Sequence, residues 1–175
     1  MNKILKISIG SIQIIGGLFL IYAIINRISE VGMISFFSVI LPFILITGLC
    51  LYAGIQLIRN KGKGIKLSIL NFGLQLFQFS YLGFYWYYFI GPYVSFGYQK
   101  PRNSNYTFLT DFEYFTGTLI SYIRNDTESH FLAINLVSLV ILIFLFYLKQ
   151  ENSKEPKLKK NVESQIQQAT TVNRQ

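Results

Sequence analysis

Few side chains in this sequence could carry out covalent chemistry. It contains one cysteine, Cys50, and one histidine, His130. No H-E-x-x-H, Cys-x-x-Cys, G-x-S-x-G, Walker or G-x-G-x-x-G pattern occurs, so zinc, nucleophile-elbow and nucleotide chemistry lack their usual carriers. His130 follows Glu128 by two residues and Asp126 by four. An acid-base cluster could use those three groups, but acidic residues at a helix start also match the helix dipole, and that is the simpler reading. The expectation is no catalytic set, no metal and no cofactor.

Uncharged polar groups are better organised. Ser68, Asn71, Gln75, Gln78 and Tyr85 follow one another at intervals of three, four, three and seven, which places them on one face of a helix. In an apolar segment such a face turns inward, because amides and hydroxyls are costly against hydrocarbon. Gln13, Ser38, Thr47, Asn135 and Ser138 are partners this seam could meet on other helices. It reads either as hydrogen-bonding glue that fixes helix register or as the lining of a ligand site. Beside it, Tyr81 to Lys100 carries ten aromatic rings. Trp86, Tyr87, Tyr88 and Tyr93, with Tyr98, suit an interfacial belt, where one end of each ring is apolar and the other wet.

The elements that must position these residues follow from composition. The chain has 175 residues, 51% hydrophobic and only 14% charged, against about 25% charged in an ordinary soluble domain. Four apolar runs, Ile4 to Ile25, Val31 to Ile58, Ile65 to Ile90 and Phe131 to Leu148, each have the length to cross a bilayer. The predicted fold class is therefore all-α: a four-span transmembrane helical bundle of two antiparallel hairpins. Residues 1–148 form its membrane domain and 149–175 a polar, basic, disordered tail. The long connection from Gly91 to Ser129 is expected to hold a short amphipathic helix. Its start would be a capping box at Thr110-Asp111-Phe112-Glu113, with Phe112, Phe115, Leu119 and Ile123 following at helical spacing. Pro42 predicts a kink in the second span.

Charge sets orientation. Under this topology twelve Lys and Arg fall on the amino-terminal side and four on the other, so both termini are expected in the cytoplasm. The net charge of +8 is split among short flanks of apolar runs, which suits lipid headgroups and argues against nucleic acid as a partner. Abundant Ile, Asn and Lys beside four Ala suggest an AT-rich genome, hence a bacterial inner membrane. The function expected is a non-enzymatic accessory or assembly component of a membrane complex, with the lipid bilayer and a membrane protein or second copy as partners. The alternative is a binder or carrier of a lipid or small neutral amphiphile through the polar seam.

Overall fold

The computed structural model describes residues 2–27, 41–81, 84–100, 105–113, 117–121 and 130–151. Three helices come first: α1 (Asn2–Arg27), α2 (Leu41–Ile58) and α3 (Gly62–Leu76). Six strands follow, β1 (Phe77–Tyr81), β2 (Phe84–Phe89), β3 (Tyr93–Lys100), β4 (Thr107–Glu113), β5 (Gly117–Ser121) and β6 (His130–Asn135), and then helix α4 (136–151). The strands form one antiparallel sheet in the order β4-β3-β6-β1-β2-β5.

This corrects the all-α, multi-pass bundle predicted from hydropathy. The expected third span divides into α3, β1 and β2, and the expected fourth into β6 and α4. With 15 residues, α3 is about 22 Å long at ~1.5 Å per residue, short of a ~30 Å hydrocarbon core. Among the described residues two helices are long and apolar enough to cross a membrane, Lys3–Asn26 within α1 and Leu41–Ile58. The amphipathic helix expected from Thr110 is also overturned. Thr107–Glu113 is a strand paired with β3, and Gly117–Ser121 is a strand paired with β2. Its aromatic and β-branched residues fit a pleated surface, and tertiary pairing overrides the helical spacing. Pro42 is the second described residue of α2, and the turn before it lies outside the described residues, so the predicted kink is not addressed by them. Ser38, Phe115, Ile123, Asp126, Glu128 and the tail from 152 lie outside the described residues.

Helices α1 and α2 are antiparallel and touch through glycine. A Cβ on Gly10 would sit 2.9 Å from the Gly54 carbonyl oxygen, and one on Gly54 would sit 2.7 Å from that of Gly10. Only residues without side chains permit this approach. The turn into α3 is a Schellman-type cap. Asn60 takes a φ of 54°, its N–H donates to the Leu57 carbonyl, and the Lys61 N–H donates to the Gln56 carbonyl. Buried Lys6 then donates from Nζ to Asn60 Oδ1 at 2.6 Å, setting a cation at the negative end of α2.

The sheet is rolled. In a flat sheet β2 would stand four strand positions from β4, about 19 Å at ~4.8 Å per strand. Yet the Tyr87 hydroxyl on β2 donates to Glu113 on β4 at 3.0 Å. The Phe89 and Tyr93 rings, on strands three positions apart, stack at 4.3 Å. Gly97 permits the roll, because a Cβ there would lie 2.1 Å from the Leu132 carbonyl oxygen on β6. The tight end of the roll meets the helices. Trp86 Nε1 donates to the Leu74 carbonyl at 3.1 Å, satisfying one of the carbonyls left open at the end of α3. Asn135, the last residue of β6, accepts from the Val137 and Ser138 N–H groups at 3.1 and 3.2 Å and so caps α4.

Polarity runs opposite to that of a soluble domain. Gln13, Ser68, Asn71, Gln75 and Gln78 are fully buried, while Leu18, Tyr22, Leu45, Leu70, Ile143 and Phe146 are exposed on the four helices. Burying amides while exposing aliphatic faces is unfavourable in water and favourable in lipid.

Candidate functional site

Four fully buried carboxamides, Gln13 on α1, Asn71 and Gln75 on α3 and Gln78 on β1, run through the core. Each uses its oxygen. Gln13 Oε1 accepts from the Ser68 hydroxyl at 3.1 Å, and Asn71 Oδ1 accepts from the Tyr88 hydroxyl at 2.7 Å. Gln75 Oε1 accepts from the Ile90 backbone N–H at 2.9 Å, and Gln78 Oε1 accepts from the Tyr93 hydroxyl. Ile90 N–H can only donate, so the orientation of Gln75 is fixed. The other three face hydroxyls; turning any of them over would leave its oxygen unmet instead of its nitrogen.

The nitrogens of all four amides are buried without an acceptor among the described residues. An unmet buried donor costs about 1 to 3 kcal/mol, so four cost roughly 4 to 12 kcal/mol, comparable to the whole stability of a typical domain. A row of donors facing inward is therefore suited to an oxygen-rich guest: carbonyl, ester, phosphate or water. Cys50 sits against this row, donating from Sγ to the Gln13 carbonyl at 2.9 Å, and acts as a small buried residue beside Tyr88.

The row ends inside the rolled sheet. Cross-strand partners share a face, which puts Tyr93 opposite Glu113 and Ser95 opposite both Asp111 and Asn135. Tyr87, Phe89 and Tyr93 form an aromatic cluster there, with Tyr87 and Tyr93 centroids 5.6 Å apart in an edge-to-face arrangement. The Tyr87 hydroxyl lies 3.0 Å from Glu113 Oε1 and 3.4 Å from Asp111 Oδ2. Burial pushes the Tyr87 hydroxyl far above the ordinary tyrosine range, and Tyr93 and the two carboxylates add to the shift. Burial also raises Tyr93. Ser95 Oγ is buried near the Tyr93 hydroxyl and meets no partner in hydrogen-bond geometry among the described residues. An open depression of about 250 Å³ is lined by Ser95, Asp111, Phe96, Phe112 and Leu136 among others.

Of the residues singled out in the sequence, Ser68, Asn71, Gln75 and Gln13 are brought together in the helical core, and Gln78 continues their line from β1. Tyr85 stands on β2 opposite Ser80 and packs on Phe131. Asn135 and Ser138 are buried at the start of α4, where Asn135 serves as its cap, and Thr47 is buried on α2. Trp86 joins β2 to α3, and Tyr88 and Tyr93 are buried with bonded hydroxyls. Asp111 and Glu113 enter the sequence reading only as part of a capping box, and Ser95 not at all. Their signal was the alternation of polar and aromatic residues at positions 93–98 and 108–113. Among the described residues no group of three His, Cys, Asp or Glu side chains could hold a metal ion. Comparison with protein families, with curated proteins and with solved structures finds no match.

Proposed function

We propose that this chain is a membrane-associated binding protein that takes the oxygen-rich part of an amphiphile into its core. The observation that carries the reading is the row of amides at Gln13, Asn71, Gln75 and Gln78, whose nitrogens meet no acceptor. Helices α1 and α2 sit in a bilayer as a close antiparallel hairpin, with the exposed apolar faces of α3 and α4 alongside. Lys3, Lys6, Arg59, Lys61, Lys63 and Lys66 gather at one end of that hairpin, which the positive-inside rule assigns to the cytoplasm. The reaction class is binding without turnover. No activated nucleophile or general acid accompanies the amides among the described residues.

Native mass spectrometry of protein released from mild detergent tests this. A bound lipid or amphiphile is expected on the wild type and is lost in the Gln75→Leu, Gln78→Leu double variant. Equal retention by both proteins would reject the reading.

A second reading, an assembly component, draws on the convex face of the sheet. Phe96, Tyr98, Phe108, Phe112, Leu132 and Ile134 are all exposed there. A membrane protein or a second copy docking on that face would yield Leu132-directed crosslinks in native membranes; a strictly monomeric protein without crosslinks would count against it.

A further inference from the structure

We propose that Asp111 and Glu113, with Tyr87, Tyr93 and Ser95, form a subsite for an ammonium group, so that the guest of the amide row is zwitterionic. The inference rests on the binding reading above and names the ligand class.

The argument starts from charge. In a chain of net charge +8, Asp111 and Glu113 form no ion pair with a Lys or Arg among the described residues. Their only side-chain hydrogen-bond partner among those residues is one tyrosine hydroxyl, which has a single proton to give. The Phe112 backbone N–H also donates to Asp111 Oδ1 at 2.9 Å, so the two carboxylates, both exposed on β4, receive two donors among the described residues, and most of their acceptor capacity is open to a cation. The rings beside them have the right chemistry, since a π-face attracts ammonium most strongly where water is partly excluded.

Two unpartnered buried groups point to a ligand independently of the acids. Ser95, 2% exposed, stands directly across from Asp111, and its Oγ, with the Tyr93 hydroxyl as polar neighbour, meets no partner in hydrogen-bond geometry among the described residues. Gln78, fully buried, holds the Tyr93 hydroxyl with its oxygen while its nitrogen is unmet. Ser95 Oγ can accept from an ammonium N–H. Gln78 Nε2 can donate to an anionic or carbonyl oxygen elsewhere on the same molecule. The order of groups along the row is therefore donor amides, then Tyr93 and Tyr87, then carboxylates, which matches a head with acceptor oxygens followed by a cation. An anionic head without an amine would fit the first part and be repelled by the second.

An ammonium of this kind comes either from a lipid head or from a free amine, and both sources can be offered together. Purified full-length protein is equilibrated in detergent micelles holding equal amounts of phosphatidylethanolamine and phosphatidylglycerol with identical acyl chains, and retained lipid is read by native mass spectrometry. The wild type should retain the ethanolamine lipid at least ~10-fold over the glycerol lipid. Asp111→Asn with Glu113→Gln, which keep shape and can still accept from Tyr87, should bring that ratio within about twofold while Trp86 fluorescence stays native. A wild-type ratio near one, or a ratio unchanged in the double variant, overturns the ammonium subsite. Soluble phosphoethanolamine that displaces the lipid supports the subsite and assigns the amine to a water-soluble ligand; failure to displace it assigns the lipid. The binding reading is scored separately. Gln75→Leu with Gln78→Leu should remove both lipids, and if it leaves both in place that reading fails whatever the carboxylate variants do.

Discussion

Gly97→Ala tests the rolled sheet, on which the arrangement of the carboxylates depends. The added Cβ would fall 2.1 Å from the Leu132 carbonyl oxygen, 2.5 Å from Ala133 Cα and 2.8 Å from Ala133 Cβ. Carbon and oxygen in contact normally stand about 3.3 Å apart or more, so β3 and β6 would have to separate by about 1 Å. The obstacle is backbone, which no rotamer change relieves. Overpacking alone costs about 1 to 3 kcal/mol, and strained ladder bonds on either side add about 0.5 to 1.5 kcal/mol each, so a loss of about 3 kcal/mol is expected. At roughly 2 to 4 °C per kcal/mol, that lowers the melting temperature by about 6 to 12 °C. Thermal unfolding in detergent, followed through Trp86, is the assay, because that indole bridges β2 to the end of α3. Gly73→Ala is the control. Its Cβ meets nothing within 4 Å inside α3, so it should stabilise by about 0.5 to 1 kcal/mol. If residue 97 lay in an open loop, Gly97→Ala would be neutral or stabilising by about 0.4 to 1 kcal/mol. A melting temperature within ~2 °C of wild type would refute the roll.

Three further outcomes follow from particular contacts. Asn135→Ala removes the acceptor for two N–H groups at the start of α4 and should cost about 0.5 to 2 kcal/mol by denaturant titration, while Asn135→Asp keeps most of it. Asn60→Ala leaves at a left-handed φ a residue without the side-chain amide that lets asparagine tolerate it, and strips Lys6 of its partner, at about 1 to 2 kcal/mol; Asn60→Gly, which relieves only the backbone, should fall between it and wild type. Tyr87 and Tyr93 have raised hydroxyl pKa values in the folded state, so the unfolded chain ionises first. Their contribution is complete below pH ~10 and declines as pH rises above it, and Tyr87→Phe should flatten the alkaline loss of denaturation midpoint.

How much of this was legible in the sequence depends on the length scale of the signal. A window of ~20 residues sums apolar content and is blind to its period. It found α1 and α2 because the described parts of those runs are apolar and helical. It also accepted Ile65 to Ile90 and Phe131 to Leu148, where an apolar helix and apolar strands share one run. The buried face was legible for a related reason: Ser68, Asn71 and Gln75 keep the helical interval, and any packing of α3 against its neighbours that buries one buries all.

The break was encoded at Gln78. Read backward, it continues the three-and-four spacing of α3; read forward, Phe77, Gln78, Phe79, Ser80 and Tyr81 alternate apolar and polar with a period of two. One residue satisfies both patterns, so spacing alone could not say where one ended. Composition leaned toward the strand, because nine of the eleven residues from Phe77 to Phe89, leaving out 82 and 83, are aromatic, a type that fits a pleated surface better than a helix. What no local signal carried was closure. Asp111 and Glu113 meet Tyr87 only because a six-stranded sheet rolls far enough to bring β4 back over β2, and that roll passes through the missing side chain of Gly97. The same dual membership makes Gln78 the junction of the site. Its oxygen ties the aromatic cluster to the strand, its nitrogen continues the row of donors from the helices, and a guest that engages that nitrogen is placed beside the carboxylates by the fold itself.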